Sequence, residues 1–153
     1  LRELYQFKLS RAAKYVRFFE MRDRQDRTRY YLFFATNNEL GHLKMKEAMW
    51  MVNPEGDFRF SDATAPDQLV LFEADPTVVL ADQIRGAFRA KGTVTGLQVR
   101  TFVENRTAYL KKHMTAALRH AEETGHLTVN ATKTDGKNRR AHTFPDEARL
   151  TWA

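Results

Sequence analysis

The chain has 153 residues, 42% of them hydrophobic and 29% charged, with a formal net charge of +6. That is enough for one domain or two small ones with a buried core, and the composition excludes wholesale disorder. The absence of cysteine excludes a disulfide framework, a thiolate zinc site and a cysteine nucleophile.

No apolar run is long enough to span a bilayer and no signal peptide is recognisable, so the expected compartment is the cytoplasm, with no membrane partner. The first residue is Leu1 rather than Met, which suggests a fragment or a processed product. Charge is uneven. Residues 1–90 hold fourteen Lys/Arg against thirteen Asp/Glu, and residues 91–153 hold eleven against six. The C-terminal excess points mildly to a polyanionic partner, and equally to a basic face that serves solubility alone.

In chain order, residues 1–13 read as the end of a helix. KYVRFFEMR and TRYYLFFAT then flank Asp23-Arg24-Gln25-Asp26-Arg27 as an antiparallel hairpin. The second strand is nearly continuous in apolar residues from Tyr30 to Ala35. It is expected to be buried on both faces, which requires more sheet than one hairpin supplies, here or upstream. Asn38 caps a helix whose inner stripe is Leu40, Leu43, Ala48 and Met49, running through Trp50. Asn53-Pro54-Glu55-Gly56 ends it. Residues 58–75 read as an irregular connection with a short strand near Leu69–Phe72, and the unit boundary is placed there, at 1–72 and 73–153.

The second unit has clearer punctuation. Asp75-Pro76 opens a helix with Leu80, Ile84, Ala87 and Phe88 inward, stopped by Gly92. Thr95 caps a short helix with Val99, Phe102 and Val103 inward, followed by a turn at Glu104-Asn105-Arg106. Thr107 caps a third helix with the stripe Leu110, Met114, Ala117, Leu118 and Ala121, closed by Gly125. A strand from His126 to Thr132, a turn at Asp135-Gly136 and a return strand from about Arg140 to Phe144 follow. The last residues, ARLTWA, extend the sheet or pack Trp152 on the core.

Three helices followed by a hairpin is the order of a winged helix-turn-helix, so the expected class is α+β. In that geometry the third helix enters the major groove and the wing lies along the backbone. The expected nucleic-acid contacts are Arg106, Tyr109, Lys111, Lys112, His113 and Arg119 from the helix, with Thr115 on the same face. The wing adds Lys133, Lys137, Arg139 and Arg140. The competing reading is a docking or dimerisation domain whose cations only keep it soluble.

Other chemistry finds little support. His42, His113, His120, His126 and His142 form no HxxxH pair and have no carboxylate cluster at ligand spacing, so no metal site is expected. Asn37-Asn38 follows a strand and could line a ligand site, though an N-cap is simpler. Asp23 and Asp26 could pair as acid and base, though their alternation with arginine fits a solvated turn. Ser10 and Ser61 have no His-Asp arrangement, and no catalytic residue is assigned. Met45, Met49, Trp50 and Met51 suit core packing. As a docking patch for a missing domain or a partner they would instead predict self-association.

YYLFFATNNELGHLKMKEAMW (30–50) and FRFSD (58–62) resemble the three-Cys-motif partner family (TcmP). So does the tail, AYLKKHMTAALRHAEETGHLTV followed by an Arg-Arg pair and TFPD. The resemblance covers essentially the whole chain. It implies that residues 1–72 are the end of a Rossmann-type, methyltransferase-like α/β sheet, with 14–36 as its last hairpin, followed by the family's winged helix. It further implies a partner, a three-Cys-motif protein resembling radical S-adenosylmethionine enzymes. Full-length relatives would carry the S-adenosylmethionine site in an N-terminal half that these residues lack. The seven glycines form no GxGxxG or P-loop, so no cofactor is expected here. A third reading follows, in which the chain is part of a nucleic-acid methyltransferase whose catalytic half is absent.

Overall fold

The computed structural model describes residues 2–23, 25–53, 59–61, 75–130 and 139–153, with β-strand backbone alone at 59–61. The chain is mixed helix and sheet and divides into two compact units, Leu1–Glu73 and Ala74–Ala153. Among the described residues no helix is long and apolar enough to cross a membrane.

The first unit contains α1 (Arg2–Ser10), β1 (Tyr15–Arg22), β2 (Thr28–Thr36), α2 (Glu39–Val52) and β3 (Arg59–Ser61). The sheet order is β2-β1-β3, with β1 antiparallel to β2 and parallel to β3. The hairpin register runs from Tyr15 opposite Thr36 to Met21 opposite Tyr30, and shifts at Arg22. Its turn is organised by Asp23, whose carboxylate accepts the backbone N–H groups of Gln25 and Arg27 and pairs with Arg27 and Arg29. The Arg27 N–H, above all, holds this carboxyl down at about 2, which makes Asp23 a turn organiser rather than an acid–base partner of Asp26. Asn38 caps α2 through the Gly41 N–H, and the neighbouring Asn37 accepts the Lys14 N–H, joining the ends of the hairpin.

Two expectations fail in this unit. β2 is an edge strand with no buried residue, and Tyr30 and Leu32 are 59% and 57% exposed. β1 takes the centre instead, and it buries Tyr15, Phe19 and Glu20. The inner face of α2 carries His42, Lys46, Met49 and Trp50, while Leu40 is exposed. The helix is rotated relative to its apolar count because His42 stacks on Tyr15 with ring centroids 4.4 Å apart. Met49 and Trp50 are core residues, whereas Met51 is 78% exposed. The strand expected near Leu69–Phe72 lies outside the described residues, and the short strand seen in this connection is β3.

The second unit runs α3 (Pro76–Phe88), a 3₁₀ turn (Arg89–Lys91), β4 (Thr93–Thr95), α4 (Gly96–Arg106), α5 (Lys111–Glu123), β5 (Leu127–Asn130) and β6 (Arg149–Trp152). The sheet is antiparallel in the order β4-β6-β5. Asp75 accepts the Thr77 N–H ahead of Pro76, and Thr95 and Gln98 form a reciprocal capping box. Leu80, Ile84 and Phe88 of α3 recur at i, i+4 and i+8. They pack with Val99 and Val103 of α4, with Met114, Ala117, Leu118 and Ala121 of α5, and with Leu150 and Trp152.

Three boundaries differ from expectation. α4 continues through Glu104-Asn105-Arg106. Thr107 does not cap α5: its hydroxyl donates to the Val103 carbonyl at 2.7 Å and accepts the Tyr109 N–H at 3.1 Å, so it pins the turn between helices. The return strand is Arg149–Trp152, not 140–144. Leu150 and Trp152 supply the alternate inward residues a sheet face needs, whereas 140–144 offers only Phe144. The Asp135-Gly136 turn lies outside the described residues.

The segment before β6 is held against the start of α4. Gly96 and Leu97 donate their N–H groups to the carbonyls of Ala148 and Asp146, both at 2.9 Å, and Arg100 pairs with Asp146 at 2.8 Å. A Cβ on Gly96 would stand 2.1 Å from the Pro145 carbonyl oxygen, and backbone is a poor thing to displace. Gly96→Ala should therefore destabilise the protein by about 1–3 kcal/mol. Gly86→Ala, in the α3 helix with open space around it, should instead stabilise by up to ~1 kcal/mol. Urea unfolding of both variants checks the contrast, and equal effects would contradict the packing at Gly96.

Candidate nucleic-acid interface

The candidate surface is built on the turn between α4 and α5 and the first turn of α5. Thr107 fixes the turn, and Tyr109 lies half-buried behind it, edge-on to His113 with ring centroids 5.9 Å apart. Burial raises the Tyr109 phenol above its ordinary value, so it stays protonated at neutral pH. Leu110 at the helix start has no side chain that can cap. His113 Nδ1 reaches back to accept the Leu110 N–H at 3.1 Å. His113 is thus partly a structural cap, with the proton of its neutral ring on Nε2.

Lys111 and Lys112 are the first two residues of α5, both exposed, with no acidic residue in that turn. Lys112, Thr115 and Arg119 follow at three- and four-residue steps along one exposed side, so Lys112 and Arg119 stand about 10 Å apart along the axis. Arg106, the last residue of α4, is exposed just ahead. Among the described residues, Arg106, Lys111 and Lys112 make no ion pair. Arg119 pairs with Glu123 at 2.8 Å, which also pulls the Glu123 carboxyl below its ordinary value.

Of the four cations expected on the wing, two lie among the described residues. Lys133 and Lys137 lie outside the described residues. Arg140 is exposed. Arg139 turns inward, with its side chain only 8% exposed. It pairs with Glu122 on α5, donates to the Thr143 carbonyl at 3.0 Å and lies over the Phe144 ring at 5.4 Å. His142, with a left-handed φ of 56°, adds Nδ1 at 3.2 Å from Glu122. Arg139 is therefore withdrawn as a phosphate contact. Its guanidinium anchors residues 139–144 to the end of α5. Adjacent arginines conceal this difference in sequence, because the partner stands 17 positions upstream.

Among the described residues no group of three or more His, Asp or Glu is placed to hold a metal ion. Compared with known proteins, the chain matches no family model, no curated protein and no solved structure.

The geometry separates the two arginines experimentally. Arg139→Ala leaves Glu122 and the inward end of the loop without their cation, and should cost about 2–3 kcal/mol, below the ~3–5 of a fully buried pair because Glu122 keeps some solvent. Arg140→Ala should stay within ~0.5 kcal/mol of the parent. Equal unfolding midpoints for the two variants would refute the inward assignment of Arg139.

Proposed function

We propose that residues 74–153 form a winged helix-turn-helix that holds nucleic acid, with α5 as the reading helix. The observation that carries this is the charge order of α5. Its N-terminal turn begins Lys111-Lys112, and its C-terminal turn ends Glu122-Glu123. The helix dipole favours the reverse order, at ~0.3–1 kcal/mol for each exposed charge. Helix stability therefore does not account for the two lysines. They add to the positive end of the dipole and make a strongly electropositive surface where a reading helix meets phosphate. The chain order of three helices with a small antiparallel sheet, β4-β6-β5, supports the same reading.

In this reading Lys111, Lys112, Arg106 and Arg140 are phosphate contacts, with Lys133 and Lys137 extending them along the wing. Arg119 joins them once it leaves Glu123. Phosphate contacts position the domain without specifying a sequence. Tyr109 and His113 shape the entrance from behind. The polymer is DNA or RNA. The protein as a whole is then a TcmP-like partner of a radical S-adenosylmethionine-type three-Cys-motif protein, and any S-adenosylmethionine-dependent methyl transfer to nucleic acid lies outside these residues. The first unit suits the end of a methyltransferase-like α/β sheet, since it carries both a parallel and an antiparallel pairing.

A second reading has its own observation. Leu4, Tyr5 and Phe7 of α1, with Tyr30 and Leu32 of β2, are more than half exposed. Such a set on one unit favours protein docking or self-association as a further role for the first unit.

Fluorescence anisotropy against labelled duplex DNA, single-stranded DNA and RNA tests the proposal. Affinity should fall steeply between about 50 and 200 mM salt, and Lys111→Ala/Lys112→Ala should flatten the duplex log–log slope by roughly 2. An unchanged slope would remove the α5 lysines from the footprint. No binding at the lowest salt would leave the docking reading in place.

A further inference from the structure

β2 (TRYYLFFAT) is nine residues long, and among the described residues its one strand neighbour is β1. Alternate backbone N–H and C=O groups on its other side therefore point away from the sheet. Natural edge strands discourage further pairing by being short or by carrying a Lys or a Pro. From Tyr30 to Ala35 this one has neither a charge nor a proline, and Tyr30 and Leu32 are more than half exposed. The single charge of the strand, Arg29, sits at the irregular end of the register and pairs with Asp23.

The order of its side chains selects the occupant of that edge. From Tyr30 to Phe34 the strand reads Tyr-Tyr-Leu-Phe-Phe, the same in chemical type from either end. An isologous contact needs such a self-complementary patch. Antiparallel pairing of two copies about Leu32 sets Leu32 opposite Leu32, Tyr30 opposite Phe34 and Tyr31 opposite Phe33. Every aromatic then meets an aromatic across the joint. The same register keeps the two Arg29 side chains more than about 14 Å apart, beyond the screening length of about 10 Å at 0.1 M salt. Parallel pairing would bring them side by side. Leu32 also borders an apolar hollow of about 300 Å³ with Phe19, Met49 and Val52, so apolar surface continues from the edge to α2. From α1, Tyr5 stacks on Phe33 with ring centroids 5.9 Å apart, and Leu4, Tyr5 and Phe7 are exposed.

We propose that the first unit forms a two-fold dimer by antiparallel pairing of β2 with β2 of a second copy, centred on Leu32. Two three-stranded sheets become one of six strands, which supplies the further sheet that the apolar run of β2 calls for. Side chains directly opposite each other share a face, so both α1 helices lie on one side of the joint, with their exposed residues beside it. The dimer rests on the self-association reading of the first unit, gives it one surface and one register, and requires no nucleic acid.

Sedimentation velocity over a concentration series and cysteine cross-linking test the dimer on the full chain, which has no cysteine of its own. The parent should pass from monomer to dimer as concentration rises. Leu32→Lys sets two like charges opposite each other at an exposed position. It should weaken the dimer by about tenfold or more while leaving the circular dichroism spectrum and melting temperature unchanged. Under mild oxidation Leu32→Cys should give a covalent dimer, since directly opposite residues have Cα atoms ~4.5–5.5 Å apart, within disulfide reach. Tyr30→Cys and Phe34→Cys alone should not, because each position stands roughly 14 Å from its own copy, whereas the two variants mixed should cross-link to each other. A dimer indifferent to Leu32→Lys, or equal cross-linking by all three single variants, would overturn β2 as the contact and leave self-association to another surface. A parent that stays monomeric at every concentration would overturn both.

Discussion

The second unit depends on four residues at its end. β6 is the middle strand, paired to β4 on one edge and β5 on the other, so Arg149–Trp152 joins two regions more than thirty positions apart in sequence. Leu150 and Trp152 complete the helical core, and the carbonyls just ahead of them receive the first N–H groups of α4. The orientation of α5 follows from this. α4 is held by residues 145–148, Thr107 pins the turn after it, and α5 leaves that turn with its N-terminus exposed.

Charge differs between the two ends of α5. Its C-terminal acids are neutralised from outside the helix or along it, Glu122 by Arg139 and Glu123 by Arg119. Its N-terminal lysines have no such partners among the described residues. The two adjacent arginines, alike in sequence, thus differ in place: Arg139 is held in the scaffold by Glu122, and Arg140 is exposed.

The parts of this arrangement visible in sequence are local ones. Asn38, Asp75-Pro76 and Thr95 declare helix starts because a cap hydrogen bond spans two or three residues, and the stripe from Leu80 to Phe88 needs only helical spacing. The exposed lysines of α5 were equally legible, since they stand opposite the stripe Met114, Ala117, Leu118 and Ala121. What sequence hides is decided at a distance. β6 pairs with Thr93–Thr95 across more than fifty positions, so sequence suggests that ARLTWA extends the sheet or packs Trp152 but not which strands it joins. Arg139 looks like Arg140 until Glu122 is placed beside it. His42 and Lys46 were passed over as core residues because apolar counting ranks Leu40 above them, whereas stacking on Tyr15 turns the helix the other way. The long apolar run of β2 calls for more sheet than these strands supply, and among the described residues it stands at the edge with no buried residue.

The central claim is that the positive end of α5 is where nucleic acid sits. The most direct test is to titrate ¹⁵N-labelled protein with a short unlabelled duplex and map the amide shifts. The account predicts that the largest shifts fall on Arg106, the first turn of α5 from Lys111 to His113, and Arg140, with α3 and the first unit nearly silent. Shifts concentrated instead on α1 and β2 of the first unit, or spread evenly over every basic residue, would contradict it.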